Sequence, residues 1–426
     1  MAKKFSLPRG TSDILPTETP LWQDIEEKAR KLFSVYGYSE IRTPVFEETA
    51  LFLRSLGQTS DVVRKQMINL EKEGLSLRPE GTASVVRSYL ENGLDKKQGL
   101  AKLFYIGPMF RGERPQKGRL RQFRQIGAEV IGPVSAFPFF DAEVIALSVR
   151  LLEALGLRNF KLKINNLGTL QDKERLSGIL RDRLKSHVKN LCRDCQERFK
   201  RNVFRILDCK NEKCRQIVEK IEIGNSHINK ESREYFFEVQ NALQKLRIPF
   251  DVTPYLVRGL DYYVGTVFEI SHEGLGSQDA LGAGGRYNTL LQDLGGQDGL
   301  GGLGFALGVE RTILAMGQRK EKADTLLDVF LLYKSIKQDD LKDPSYVKAF
   351  EILDTIRQNN FSADMFYIPK TLGNQMGAAS KKAKFALIIG ENELKSNAVT
   401  LKDLKSQTQE FIPVNKIIET LKSKLC

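Results

Sequence analysis

Histidine is scarce in this chain. Among the 426 residues only three histidines occur, His187, His227 and His272, and none lies in a segment that resembles a catalytic motif. The sequence therefore argues against a Ser-His-Asp site and against a histidine-rich metal centre. Its chemistry must use arginines, carboxylates and the reactive groups of a bound ligand.

Long apolar runs and phosphate-binding loops of the P-loop type are also missing. No stretch of eighteen apolar residues occurs, which excludes a membrane-spanning helix. No G-x-x-x-x-G-K-[ST] segment occurs, and the G-x-G-x-x-G match at 299–304 lacks a strand–helix unit of Rossmann size around it. The first residues lead directly into fold-like sequence without a signal peptide, so we expect a cytoplasmic protein, most simply a bacterial one.

Length and charge set further bounds. At 426 residues and 48.2 kDa the chain has room for two or three domains. Hydrophobic residues make up 41% and charged residues 28% of the sequence, values that are typical of a globular protein. The net charge of +13 favours a polyanionic partner, although many basic proteins bind no nucleic acid.

Basic side chains crowd the segment 110–123, which reads Phe-Arg-Gly-Glu-Arg-Pro-Gln-Lys-Gly-Arg-Leu-Arg-Gln-Phe. Apolar runs at 103–106 and 126–131 flank it, so the pattern predicts a β-hairpin with guanidinium groups at its tip. Arginine stays charged and can grip two oxygens at once, which suits a polyphosphate. The alternative is a solvated basic loop.

The second strand of this hairpin has a mixed face. Period-two alternation places Phe123, Gln125, Gly127 and Glu129 on the same side of the strand. An aromatic ring, an amide and a carboxylate in that order look like a ring-stacking platform beside a polar pocket.

These residues resemble motif 2 of class II aminoacyl-tRNA synthetases, and the sequence of the loop is similar to that of the histidyl branch. Further segments resemble the same family in chain order, so the resemblance spans nearly the whole chain. A helix at 19–36 and a strand at 38–43, which ends before Pro44, resemble motif 1. Two segments at 256–269 and 281–287 resemble segments of the histidyl branch. A strand and helix at 301–311 resemble motif 3.

The resemblance implies an α+β fold: a class II synthetase antiparallel sheet core with a helical insertion, plus a C-terminal α/β anticodon-binding domain. Strand-like stretches joined by hairpins rather than by regular helical crossovers agree with it. We expect strands at 75–78, 103–110, 124–131, 160–165, 267–271, 303–307, 328–333, 362–366 and 385–389, and late helices near 346–359 and 372–382.

Changes in composition along the sequence also suggest domain boundaries. Between about 170 and 246 the sequence is rich in charged residues and has helical patterns, and a charged linker lies at 318–324. We therefore expect a catalytic domain at 1–169 and 247–322, a helical insertion at 170–246 and an anticodon-binding domain at 327–426.

The resemblance further implies three groups of site residues. The catalytic cations, which would surround the polyphosphate of ATP together with Mg²⁺, are Arg111, Arg258 and Arg311. The histidine-binding residues are Glu80, Gly81, Thr82, Arg111, Gln125, Glu129, Arg258, Tyr262 and Tyr263. The ATP-binding residues are Arg111, Glu113, Arg119, Phe123 and Arg311, with Phe123 stacked on adenine. In relatives, residues that match Arg114 and Gln116 read the extra guanosine at the 5′ end of tRNA-His.

The implied reaction is the activation of L-histidine with ATP and the transfer of the histidyl group to the 3′ end of tRNA-His, by a homodimer. A neutral imidazole has one donor and one acceptor nitrogen, and Glu129, Tyr262 and Tyr263 offer partners of both kinds. Such a pocket rejects apolar mimics, so no editing domain is needed. The alternatives are the histidine-sensing regulatory subunit of ATP phosphoribosyltransferase, which lacks the terminal domain, and a different class II synthetase.

Four cysteines form a separate pattern inside the expected insertion. Cys192 and Cys195 are followed by Cys209 and Cys214, and a short helical hairpin between the pairs would bring them side by side. They could form a four-thiolate structural zinc site, although the uneven second spacing is less usual. Reduced thiols packed as small hydrophobes are favoured over zinc and over disulfides.

Overall fold

A computed structural model of the chain describes residues 5–57, 60–71, 73–134, 137–221, 223, 227–276, 279–317, 326–334, 342–368 and 370–425. The chain divides into two compact units, Met1–Arg319 and Lys320–Cys426. The charged linker expected at 318–324 lies outside the described residues. Across the described part of the chain, no helix has the length and apolar character that crossing a membrane requires.

Both units contain helices. They are α1 Thr19–Val35, α2 Thr49–Leu56, α3 Thr82–Glu91, α4 Leu94–Gln98, α5 Pro138–Ala154, α6 Leu170–Leu184, α7 Arg193–Arg201, α8 Phe204–Leu207, α9 Glu212–Glu219, α10 Lys230–Lys245, α11 Asn288–Asp293, α12 Val309–Ala315, α13 Pro344–Gln358, α14 Leu372–Lys382, α15 Glu391–Lys395 and α16 Ile417–Leu425. The helix predicted over 19–36 is confirmed as α1, which buries Ile25, Ala29 and Phe33 at helical spacing.

The strands belong to three sheets. They are β1 Ser39–Glu40, β2 Phe46–Glu48, β3 Ile68–Asn69, β4 Leu75–Leu77, β5 Ala101–Phe110, β6 Gln122–Gly132, β7 Phe160–Asn166, β8 Asp251–Val252, β9 Val264–His272, β10 Ala280–Arg286, β11 Gly301–Gly308, β12 Leu327–Tyr333, β13 Ala363–Met365, β14 Ala383–Ile389, β15 Ala398–Asp403 and β16 Gln409–Pro413. The six strands predicted between residues 75 and 307 are present, with ends that differ by a few residues.

An eight-stranded sheet organises the first unit, in the order β1-β5-β6-β11-β10-β9-β7-β8. Its five central ladders are antiparallel, and only the two edge pairs, β1 with β5 and β7 with β8, are parallel. The predicted α+β class with a mainly antiparallel sheet is thus confirmed. A small sheet in the order β2-β4-β3 lies beside the start of α3.

The two faces of β6 carry different residues. Ile126 and Ala128 point into a hydrophobic core shared with α1 and α5. Glu129 points to the opposite face, where it meets Thr82 at the start of α3, and Gln125 lies on the same side, as the period of two requires. The mixed face predicted for this strand is therefore confirmed.

Two local predictions need correction. The strand expected at 38–43 is only the pair Ser39–Glu40, an exposed edge strand that pairs with β5 alone. The strand β10 was not predicted, since its sequence Ala-Leu-Gly-Ala-Gly-Gly-Arg has little intrinsic strand preference. Hydrogen bonds to β9 on one side and to β11 on the other stabilise this segment as a strand despite its low intrinsic preference.

The second unit has a five-stranded sheet in the order β13-β12-β14-β15-β16. The strand β12 is parallel to both β13 and β14, and the remaining pairs are antiparallel. The alternation of strand and helix predicted up to residue 389 is confirmed. The hairpin of β15 and β16 was not predicted; it buries Val399 and Leu401 between polar neighbours.

Candidate active site

A cleft of about 840 Å³ opens over the middle of the large sheet, within the first unit. Its walls come from the motif 2-like hairpin, the start of α3, the segment before β9, the strand β10 and the start of α12. All the residues expected to bind ATP border it, as do most of those expected to bind histidine. Those in its lining are Glu80, Thr82, Arg111, Glu113, Arg119, Phe123, Gln125, Arg258, Tyr262, Tyr263 and Arg311.

The hairpin forms one wall through β5 and β6. The guanidinium carbon of Arg111 lies 5.1 Å from the centre of the Phe123 ring, so the cation covers one face of that ring. Its Nε donates to the carbonyl of Pro79 at 2.9 Å. At the edge of the same wall, Arg119 pairs with Glu113 at 3.3 Å. Two cations and a stacking ring therefore face the same cleft.

The other two expected cations approach from different elements. Arg258 precedes β9, and its Nη1 donates to Glu269 at 2.7 Å. Arg311 lies in the first turn of α12, where burial lowers its pKa to about 10, with Arg119 acting in the same direction. The three arginines of the sequence prediction thus converge on one cleft from three parts of the chain.

The start of α3 supplies a buried carboxylate. Glu80 accepts backbone hydrogen bonds from Thr82 at 2.7 Å and from Ala83 at 2.9 Å, so it caps the helix N-terminus. Burial raises the pKa of Glu80, which these bonds only partly offset. Gly81 lies against the ring of Tyr105, where a Cβ would come within 2.4 Å of that ring.

Glu129 lies one layer behind the cleft wall and is 1% exposed. Its carboxylate accepts hydrogen bonds from Thr82 Oγ1 at 2.7 Å, from Tyr287 OH at 2.7 Å and from Tyr105 OH at 3.5 Å. Burial raises its pKa to about 8 against the opposing effect of these bonds. A carboxylate has about four acceptor positions, so three hydroxyls leave room for one more donor.

Aromatic hydroxyls surround this carboxylate more densely than the sequence suggested. Tyr262 and Tyr263 have ring centres 4.6 Å apart, and Tyr262 also meets Tyr287 edge-on at 5.9 Å. The sequence prediction gave no role to Tyr105 or Tyr287. A signal existed for Tyr105, because strand alternation on β5 and pairing with Gly127 place it over the mixed face of β6.

Three buried polar atoms of residues that line the cleft have no hydrogen-bond partner among the described residues: Gln125 Oε1, Arg205 Nε and Arg258 Nε. Of these residues, Gln125 and Arg258 were expected to contact histidine. An unpaired buried polar atom costs about 1–3 kcal/mol, so such atoms in a cleft point to a polar ligand that completes them.

Arg114 and Gln116 lie at the tip of the hairpin and are exposed. The backbone of Gln116 bridges to Arg119, which holds the tip in a tight turn. The tip therefore extends beyond the residues that border the cleft.

Helices between β7 and β8 also reach the cleft. Asp61 accepts from Arg198 of α7 at 2.7 Å and from Arg205 of α8 at 3.1 Å. Arg205 also donates to the backbone carbonyl of Arg258 at 3.4 Å. The sulfurs of the four cysteines of this region lie within 4.8 Å of one another, so their predicted proximity is confirmed.

Comparisons with known proteins agree with this geometry. Residues 10–312 match the family model described as Histidyl-tRNA synthetase, and residues 328–424 match that of an anticodon binding domain. The histidine–tRNA ligase of Halothermothrix orenii is 42% identical over 420 residues, which are 97% of this chain and 98% of that protein. The histidine–tRNA ligase of Clostridioides difficile is 38% identical over 425 residues, with 98% and 99% covered. The crystal structure of apo S. aureus histidyl-tRNA synthetase is 34% identical with a TM-score of 0.77, and the match covers 98% of this chain and 100% of that one.

Proposed function

The chain belongs to the histidyl-tRNA synthetase family, and we propose that the cleft over its large sheet is where it performs the reaction of a histidine–tRNA ligase. The observation that carries the assignment is that Gln125 Oε1 and Arg258 Nε are buried without partners among the described residues, in the cleft that Arg111, Arg258 and Arg311 border. An amino-acid ligand satisfies both atoms, because its ammonium group can donate to Gln125 Oε1 and its carboxylate can accept from Arg258 Nε.

We assign the activation step to the three cations. Arg258 neutralises the histidine carboxylate and the α-phosphate of ATP, while Arg111 and Arg311 hold the remaining phosphate oxygens. The carboxylate of histidine attacks the α-phosphate, and pyrophosphate leaves. Because in-line displacement at phosphorus depends on positioning and charge neutralisation, fixed guanidinium groups supply most of the catalysis.

We assign ATP orientation to the hairpin. Phe123 stacks on adenine by the ring face that Arg111 leaves open, and Glu113 and Arg119 fix the nucleotide. We further propose that Mg²⁺ accompanies ATP. Carboxylates of Glu269 and Glu310 border the same cleft, and carboxylate oxygens are ligands that Mg²⁺ accepts.

We assign histidine recognition to the α3 side of the cleft. Glu80 and Thr82 receive the α-amino group, with the backbone at Gly81 shaping the turn, and Gln125 completes the main-chain contacts of the substrate. Tyr262 and Tyr263 border the imidazole pocket. Glu129 accepts the imidazole N–H with its one remaining acceptor position.

We propose that the rest of the chain serves the tRNA. Arg114 and Gln116 at the exposed hairpin tip contact the acceptor end of tRNA-His, and residues 327–426 bind the anticodon. The helices of 170–246 form an insertion in a catalytic domain made of 1–169 and 247–322. We also propose that the protein works as a homodimer in the cytoplasm, with the motif 1-like helix α1 at the dimer interface.

Exchange of pyrophosphate into ATP, measured with each of the twenty amino acids in turn, tests the assignment. Histidine alone should support exchange above background. Exchange with another amino acid would point to a different class II synthetase, and histidine binding without exchange would favour a histidine-sensing protein.

A further inference from the structure

The four cysteines of the helical region come from three separate pieces of chain. Cys192 is the N-cap of α7 and Cys195 lies in its first turn, Cys209 follows α8, and Cys214 lies in the first turn of α9. The side chains of Cys195 and Cys214 are 0% exposed, and Cys209 is 7% exposed. One compact group of sulfurs therefore joins the starts of two helices.

The spacing of the sulfurs fits a single tetrahedral ion. All four lie within 4.8 Å of one another, and the sulfurs of Cys192 and Cys209 are 3.9 Å apart. Zn–S bonds of about 2.3 Å in a tetrahedron place neighbouring sulfurs about 3.8 Å apart. An iron–sulfur cluster would need room for several iron and sulfide atoms between its ligands, which these separations do not leave.

Backbone N–H groups are directed at two of the sulfurs. The backbone N–H of Cys192 donates to the sulfur of Cys214 at 3.2 Å, and the N–H of Asn211 donates to the sulfur of Cys209 at 3.4 Å. The positive ends of α7 and α9 both point at the group, since each helix begins at one of its cysteine pairs. Such donors stabilise thiolates, which are the form that binds metal.

The core of this region is small. Among the described residues, the hydrophobic cluster around the sulfurs has eleven buried members, and three of them are cysteines: Leu176, Leu180, Leu184, Leu191, Cys195, Val203, Ile206, Cys209, Cys214, Val218 and Ile221. Small units with little apolar core are commonly stabilised by a structural metal. Sulfurs that merely pack as apolar groups would not need N–H donors aimed at them.

We propose that Cys192, Cys195, Cys209 and Cys214 hold one structural zinc ion as four thiolates. The ion ties α7 to α9 and so fixes α7 and α8, which carry the two arginines that bind Asp61 at the cleft. Its role is to hold this wall of the cleft in place. The ion takes no part in the chemistry.

Metal analysis of the full-length protein, purified without a metal-affinity tag from cells grown with added zinc, tests the proposal. We expect one zinc per chain that survives dialysis, and its loss in both Cys195→Ser and Cys214→Ser. Cys426→Ser is the matched control and should keep the zinc. Protein produced with cobalt should show the intense visible absorption of tetrahedral cobalt with thiolate ligands.

Titration with a mercurial reagent adds a measurement on the unmodified protein, which keeps the proposal testable if a variant fails to fold. Zinc should be released in step with the modification of four of the five thiols. Zinc-free protein with all five thiols titratable, a mass lowered by disulfide formation, or iron in place of zinc would each overturn the proposal. Zinc that is lost on dialysis or retained by a soluble, folded Cys195→Ser variant would be adventitious and would overturn it as well.

Discussion

Replacement of Glu129 by glutamine should weaken histidine binding while leaving ATP binding nearly unchanged. Glutamine keeps the size of the side chain but removes the carboxylate, which already accepts three hydroxyl groups. We assign its last acceptor position to the imidazole N–H. A hydrogen bond to a charged acceptor contributes about 1.5–3 kcal/mol, so at 1.4 kcal/mol per factor of ten the KM for histidine should rise roughly 10- to 150-fold.

The raised pKa of Glu129 adds a dependence on pH. Burial raises that pKa to about 8, so near neutral pH a large part of the free protein holds the proton. Accepting the imidazole N–H favours the ionised form, and histidine binding must therefore release the proton. The KM for histidine should rise as pH falls below about 8, by up to tenfold per unit, and Glu129→Gln should lose this dependence.

Pyrophosphate exchange measures both effects when histidine is varied at saturating ATP and then ATP at saturating histidine. Glu91→Gln is a suitable control, because Glu91 is an exposed carboxylate paired with Arg87 at the surface. Equal increases in the two KM values would remove Glu129 from the histidine pocket. So would an unchanged dependence on pH between about 7 and 8 in Glu129→Gln, a range above the one in which free histidine itself gains a proton on its imidazole.

Three further predictions concern the cations and the tRNA. Arg258→Ala should lower the rate of adenylation by about 10²-fold or more, because it removes one fixed charge from the cleft and leaves Glu269 without its partner; near-normal pyrophosphate exchange would contradict this. Arg114→Ala should damage tRNA charging and spare adenylation, and charging of a transcript without the extra guanosine at the natural rate would exclude the role given to the hairpin tip. A shortened chain that ends near Lys322 should still form adenylate but charge tRNA poorly, and binding of tRNA by the full chain should weaken steeply with salt; undiminished charging by the short form would overturn the role of the second unit.

The parts of the fold that the sequence predicted are those in which one face of an element is buried. Alternation on β6 and helical spacing on α1 follow directly from burial of Ile126, Ala128, Ile25 and Phe33, so each pattern has one structural solution. The edge strand β1 and the glycine-rich strand β10 lack such a signal, because their pairing depends on neighbours that are distant in sequence.

The site shows the same division. Motif residues such as Arg111 and Arg311 are recognised by their sequence context, and the fold brings them to one cleft. The hydroxyl groups that surround Glu129 cannot be predicted from sequence motifs, because Tyr287 and Glu129 are 158 positions apart in the chain. For the cysteines, spacing predicted proximity, but the direction of the helix starts and of the N–H donors appears only in three dimensions.

The structure shows that several glycines near the site leave room for neighbouring side chains. The segment 281–287 is rich in glycine, a residue that allows a backbone to approach a ligand closely. In the fold, several glycines make room for the network itself: a Cβ at Gly127 would lie 2.3 Å from the ring of Tyr105, one at Gly302 2.1 Å from the ring of Tyr287, and one at Gly304 1.7 Å from Glu129 Oε2. Three hydroxyls and a carboxylate can share one buried space only because the sheet beneath them has no side chains at these points. The glycines of β6 and β11 and the tyrosines of the pocket therefore belong to one packing arrangement, in which the absence of a Cβ allows polar groups to satisfy each other away from water.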